Sequence, residues 1–124
     1  MRATRDELPI LFGEEPTAVR GADWGGFRSM IVSLPGGTDL APLLQGLPDD
    51  LCSCPHWGYV LKGRMRVTYA DSEEVLQTGD LFYLPPGHTA LVEEDVEFLE
   101  FSPPTEHDAV LDVVNRNATA SSTT

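Results

Sequence analysis

Along the chain, apolar residues come in short runs that alternate with polar ones or stop at Gly and Pro, and no long stretch keeps a 3.6-residue period. Met30-Ile31-Val32-Ser33-Leu34 predicts a strand closed by Pro35-Gly36-Gly37. Residues 57–61 predict another, and Lys62-Gly63 a turn. Arg64-Met65-Arg66-Val67-Thr68-Tyr69 then alternates with period two, as a strand with one wet face does. Residues 74–77 predict a short strand, and Thr78-Gly79-Asp80 turns the chain into residues 81–84, which Pro85-Pro86-Gly87 stops. Residues 89–93 and 96–101 predict a last pair across the acidic turn Glu93-Glu94-Asp95. Strands at this spacing, with turn chemistry between them, indicate an all-β sandwich or barrel.

The ends read differently. Residues 1–25 hold two prolines and mixed charge, which predicts an irregular segment along the barrel edge or a covering edge strand; residues 26–104 form the barrel. Within a C-terminal element over 105–124, Val110, Leu111, Val113 and Val114 suit a short helix or a terminal strand. The small polar residues from Asn115 onward predict a frayed, flexible tail. A chain of 124 residues makes one domain. Eight basic residues against 20 acidic ones give a net charge of −12, so neither nucleic acid nor a membrane surface is expected as a partner. Many of the acids sit in turns, at 71–74 and 93–95, where solvation accounts for them. The opening Met-Arg-Ala-Thr-Arg-Asp-Glu-Leu-Pro has acids where a secretory signal needs an apolar stretch, which makes the cytoplasm the expected compartment.

The segment from Gly58 to Phe101 resembles the cupin superfamily, small β-barrels of jelly-roll type. Tyr59-Val60-Leu61-Lys62-Gly63 looks like the end of the family's first motif, and Gly79-Asp80-Leu81-Phe82-Tyr83-Leu84-Pro85-Pro86-Gly87 fits the start of its second. The resemblance implies a single-domain jelly-roll barrel, and, because short members commonly pair through strand edges, a homodimer. Metal-holding members typically use His-x-His and a Glu in the first motif and a His three residues after the Gly of Pro-x-Gly. Here the Glu position falls on His56, the second His on Cys52 or Leu51, and the first on Asp50 or Asp49. The second-motif His position falls on Ala90, with His88 nearby. No member of that set stands in place, so the residues have to be read for their own chemistry.

Cys52, Cys54 and His56 are spaced by two and in an extended strand would share one face. In the family, the bend that precedes His88 lies across the barrel from the first-motif strand. Together they predict a divalent metal held by His56, His88, Cys54 and Cys52. Mixed thiolate and imidazole donors favour zinc, with iron, manganese and nickel as alternatives. The competing reading makes the cysteines small core fillers and the histidines main-chain hydrogen-bonders. Cysteines one residue apart do not readily bridge, so reduced thiols are expected. Trp57, Tyr59 and Tyr83 are candidates to line an apolar small-molecule pocket, with a core role as the alternative. Glu100 is a candidate inward base or ligand, with an exposed alternating position as the alternative. His107, beyond Pro103-Pro104 in a polar segment, is read as a surface residue. Two functions remain: a metal-dependent small-molecule enzyme whose substrate and catalytic residues are unassigned, and a non-enzymatic ligand-binding, sensor or accessory cupin without a metal.

Overall fold

Burial alternates along the strands of the computed structural model, which describes residues 1–122. Among these residues the chain forms β1 (Ile10–Glu14), β2 (Thr17–Trp24), β3 (Phe27–Leu34), β4 (His56–Tyr69), β5 (Glu73–Gln77), β6 (Leu81–Leu84) and β7 (His88–Ser102). The helix α1 (Pro104–Ser122) follows. All pairings are antiparallel, in the order β1-β2-β3-β7-β4-β5, with β6 beside β4. The fold is a single-domain, all-β jelly-roll barrel with one C-terminal helix. Its core is filled from the inward positions of β3, β4, β6 and β7, among them Met30, Val32, Val60, Val67, Val92 and Phe98.

Two turns expected from the sequence are bends inside long strands. Lys62-Gly63 lies within β4, and Glu93-Glu94-Asp95 lies within β7, so neither reverses the chain. The two strands pair along nearly their whole length, with register shifts between Val60 and Met65. Extra residues at a bulge reverse which parity faces inward. Thus β4 buries His56, Gly58 and Val60 before the bulge and Met65 and Val67 after it. Gly63 sits at this bend with φ +89°, and a Cβ there would collide with the Asp95 carbonyl oxygen. The Gly and the acids resemble turn chemistry, but here they serve a close strand crossing and a solvated bend.

At the N-terminus, where the sequence left an edge strand open, β1 and β2 form a hairpin that extends the sheet beyond β3. At the C-terminus the expected frayed tail is corrected: α1 continues through residue 122, while Thr123 and Thr124 lie outside the described residues. The helix is held by tertiary packing. Val110 and Val114 are buried against Leu44, Leu47, Cys52 and Cys54 of the 40–54 loop. The Asn117 side chain donates to the carbonyls of Leu43 and Gln45 at 2.7 and 2.8 Å. No helix among the described residues is long and apolar enough to cross a membrane.

Candidate metal centre

Cys52, His56 and His88 meet at the end of the barrel covered by α1, with one potential ligand atom from each lying within 4.8 Å of the other two. Backbone bonds place Cys52: its N–H donates to the His88 carbonyl at 2.8 Å, and the Gly87 N–H donates to its carbonyl at 2.7 Å. The Pro85-Pro86-Gly87 bend therefore fastens the loop cysteine to the first residue of β7. His56 is the first residue of β4 and points inward. Its Nε2 stands 3.5 Å from Cys52 Sγ, and its Nδ1 stands 2.6 Å from Ser102 Oγ on β7. His88 Nδ1 is 2.8 Å from the Pro85 carbonyl, an oxygen that only accepts. Nδ1 therefore carries the proton, which leaves the Nε2 lone pair available.

Burial sets the protonation of the three. It pulls the His56 pKa down to about 4 and lowers that of His88, so both are neutral imidazoles near pH 7, the form that ligates a metal. Burial pushes the Cys52 thiol up to about 12, so metal uptake there must expel a proton. Both cysteines are free. Cys54, expected beside Cys52 on one strand face, is not among the three gathered donors. The 52–55 segment is not an extended strand, and Cys54 Sγ is turned to the Pro55 carbonyl 3.4 Å away, fully buried under α1.

Two buried residues border the trio. Glu100, on β7, is 8% exposed, and its carboxylate is 3.6 Å from His56 Nδ1, outside hydrogen-bond distance. Burial raises its pKa to about 7, against a smaller opposing pull from His88. The exposed alternative for Glu100 is thus corrected: it shares parity with Val96, Phe98 and Ser102, all buried. His107 is also corrected. It is 5% exposed, and its ring lies 6.1 Å from that of His56. Arg28, itself buried, reaches His107 Nδ1 at 2.9 Å while bonding Asp23 and Asp108 at 2.7 and 2.8 Å. An arginine only donates, so Nδ1 accepts and the His107 proton sits on Nε2. Burial first, then the neighbouring His56 and Arg28 charges, hold the His107 pKa down at about 4. Its spacing to Val110, Leu111 and Val114 is one helix face, which is the signal in the sequence that identifies it as inward.

Next to this polar cluster lies a cavity of about 130 Å³, walled mainly by apolar side chains such as Phe12, Val32, Leu40, Met65, Phe98 and Val110, with Cys52, His56, His88, Glu100 and His107 also lining it. Trp57, Tyr59 and Tyr83 do not line it, which corrects their placement as pocket residues. They are 42%, 41% and 50% exposed on the opposite face of the sheet. Alternation requires this, because with His56 turned inward Trp57 and Tyr59 cannot be. Asp49 and Asp50 are exposed, and Asp50 accepts the Gly46 N–H at 2.9 Å.

The family model described as the cupin domain matches residues 53–100. Among solved structures, a cupin-2 domain containing protein from Shewanella frigidimarina is 18% identical over 75% of this chain and 85% of its own, with a TM-score of 0.51. HppE in its FeII form is 16% identical over 82% of this chain, with a TM-score of 0.59. A Bacillus subtilis oxalate decarboxylase, OxdC, is 20% identical over 82% of this chain, with a TM-score of 0.60. This chain spans 59% of HppE and 28% of the decarboxylase. At these identities the likeness is one of fold. No curated protein matches the chain.

Proposed function

We propose, for a chain that belongs to the cupin superfamily, that the barrel mouth holds one divalent metal ion on Cys52 Sγ, His56 Nε2 and His88 Nε2. Beside it, the site receives a small molecule with an apolar body and one polar end. The observation that carries this reading is the convergence within 4.8 Å of one thiol and two imidazoles, Cys52 and His56 from the stretch that enters β4 and His88 from the start of β7. The donor set fits a metal. Both histidines are neutral, His88 has its other nitrogen satisfied by a carbonyl, and a Cys-His-His set suits zinc better than the oxygen-rich sites of harder ions. Three protein ligands leave a coordination position for a ligand atom. When bound, the ion would supply Lewis acidity toward an oxygen of that ligand.

The chain's own residues divide the remaining work. The apolar walls exclude water and hold the body of the molecule, and about 130 Å³ suits something near the size of a single ring. The His107 Nε2–H is a fixed donor at the polar end, because Arg28 occupies Nδ1. Glu100, with a pKa near 7, can hold or release a proton at neutral pH. HppE in its FeII form and the oxalate decarboxylase support the reading only in that the same barrel serves other proteins with such names.

The test is elemental analysis of protein purified without chelator, with anomalous scattering from a crystal to locate the ion. About one zinc per chain is expected for the three-ligand centre. Cys52→Ala and His56→Ala should abolish occupancy, whereas Cys54→Ala and His107→Ala should retain it. Absence of metal after purification, with no uptake on reconstitution, overturns the proposal.

A further inference from the structure

The polar groups of the cavity gather at one end, where Glu100 and His107 flank His56: the carboxylate lies 3.6 Å from His56 Nδ1 and the two histidine rings lie 6.1 Å apart. Most buried polar atoms there already have partners. Ser102 Oγ holds His56 Nδ1, the Pro85 carbonyl holds His88 Nδ1, and Arg28 is shared among Asp23, Asp108 and His107. Glu100 is the exception. It is 8% exposed and lines the cavity, and among the described residues no group hydrogen-bonds its carboxylate. Nor can it swing out to water, since it stands on β7 in register with Met30 of β3 on one side and Gly58 of β4 on the other. A buried carboxyl without a partner is costly, and what enters the cavity is what can supply one.

We infer that the small molecule of the proposed function is a neutral single-ring alcohol or phenol, whose hydroxyl donates to the Glu100 carboxylate and accepts from the His107 Nε2–H. The inference rests on that reading for the cavity and its polar end, and adds the chemical class. A hydroxyl is donor and acceptor at once, so it pairs with both groups, and with the carboxyl in either protonation state. A carbonyl only accepts and leaves an ionised Glu100 unpaired, while an ammonium has no lone pair for the His107 donor. An anion is disfavoured by charge. Among the described residues no lysine or arginine lines the cavity. A divalent ion on the Cys52 thiolate, with the Glu100 carboxylate beside it, is already matched by two negative charges, which leaves none for a ligand to neutralise. The body of the molecule follows from the walls, since apolar cavities on the order of 150 Å³ take up benzene and this one is about 130 Å³.

Titration calorimetry of phenol, benzoate and benzene into the full chain tests this, in chelator-treated and zinc-supplemented samples alike. About one phenol per chain is expected in both, with benzoate and benzene about tenfold or more weaker, the scale of one hydrogen bond to a charged group. Glu100→Leu should bring phenol down to the level of benzene. Glu100→Gln keeps the size of the side chain and an accepting oxygen, so it should hold phenol within about threefold of wild type and strengthen benzoate about tenfold by removing the like charge. A purely structural role for Glu100 would leave this order of preference unmoved. Benzoate bound as tightly as phenol, a phenol affinity indifferent to Glu100→Leu, or no phenol uptake in either sample overturns the inference. Elemental analysis reads the metal separately. Phenol bound in this order of preference by protein that takes up no zinc upholds the hydroxyl ligand and removes the metal, whereas stoichiometric zinc without phenol overturns the hydroxyl ligand and keeps the metal.

Discussion

Replacing Glu100 with Gln keeps the shape of the buried side chain and removes its titration. The carboxyl has a reference pKa of 4.5 in the unfolded chain and about 7 in the fold, because burial penalises the charged form by more than the opposing pull of His88 relieves. Between these values the native state holds a proton that the unfolded chain has released. Wild-type stability is therefore undiminished below 4.5 and is lost as pH rises through about 7. At about 1.4 kcal/mol per pH unit, the loss comes to about 3 kcal/mol. Gln loses nothing over this range. Relative to wild type, metal-free Glu100→Gln should gain about 3 kcal/mol between about pH 4 and pH 8, on the order of 10 °C in melting temperature. The assay is thermal unfolding of both proteins at both pH values after chelation. Any change in packing or hydrogen bonding from the amide contributes equally at the two ends, so the difference isolates ionisation. An equal effect at both pH values, or a larger gain in acid, would show that Glu100 ionises as an exposed carboxylate does and would refute the argument.

Acid acts on the histidines in the opposite sense. His56 and His107 both fall from 6.5 to about 4, so the unfolded chain takes up protons that the native state refuses. Metal-free protein should lose stability as pH falls from about 6.5 to about 4, by up to about 3 kcal/mol for each histidine, partly offset by Glu100; urea unfolding across that range reads the slope, and a flat profile contradicts the burial account. Gly63→Ala places a Cβ against the Asp95 carbonyl at a positive φ and should cost about 3 kcal/mol or more by chemical denaturation; a neutral outcome would mean that the β4–β7 crossing has slack. Arg28→Leu removes the donor to His107 Nδ1 and the links to Asp23 and Asp108. It should cost about 1–3 kcal/mol and speed amide exchange in the first turns of α1, whereas unchanged exchange would show that apolar packing alone seats the helix.

Much of the strand architecture is legible from period-two alternation and Gly/Pro punctuation. β3, β5 and β6 lie where the pattern puts them. Parity within β7 also places Glu100 inward, and the 107-110-111-114 spacing places His107 inward, so both signals exist in the sequence and were outweighed by general polarity. Parity in β4 would have separated His56 from Trp57 and Tyr59. The bends at Gly63 and Glu93–Asp95 were not legible, because a glycine at a strand crossing and a glycine in a hairpin have the same local chemistry. Only the partner strand distinguishes them.

By itself, the sequence determined the all-β class and singled out Cys52, Cys54, His56 and His88, because side-chain periodicity and residue chemistry are local properties, while the jelly-roll type rested on the family resemblance of two motifs. The tertiary structure decided which donors converge. The Cys52–His88 backbone bridge ties a loop to a strand start, 36 residues apart in the chain, and turns Cys54 away from the pair. It also decided the fate of residues 104–122. A small polar helix is marginal in isolation, and α1 persists where Val110, Val114 and His107 find a surface to bury against.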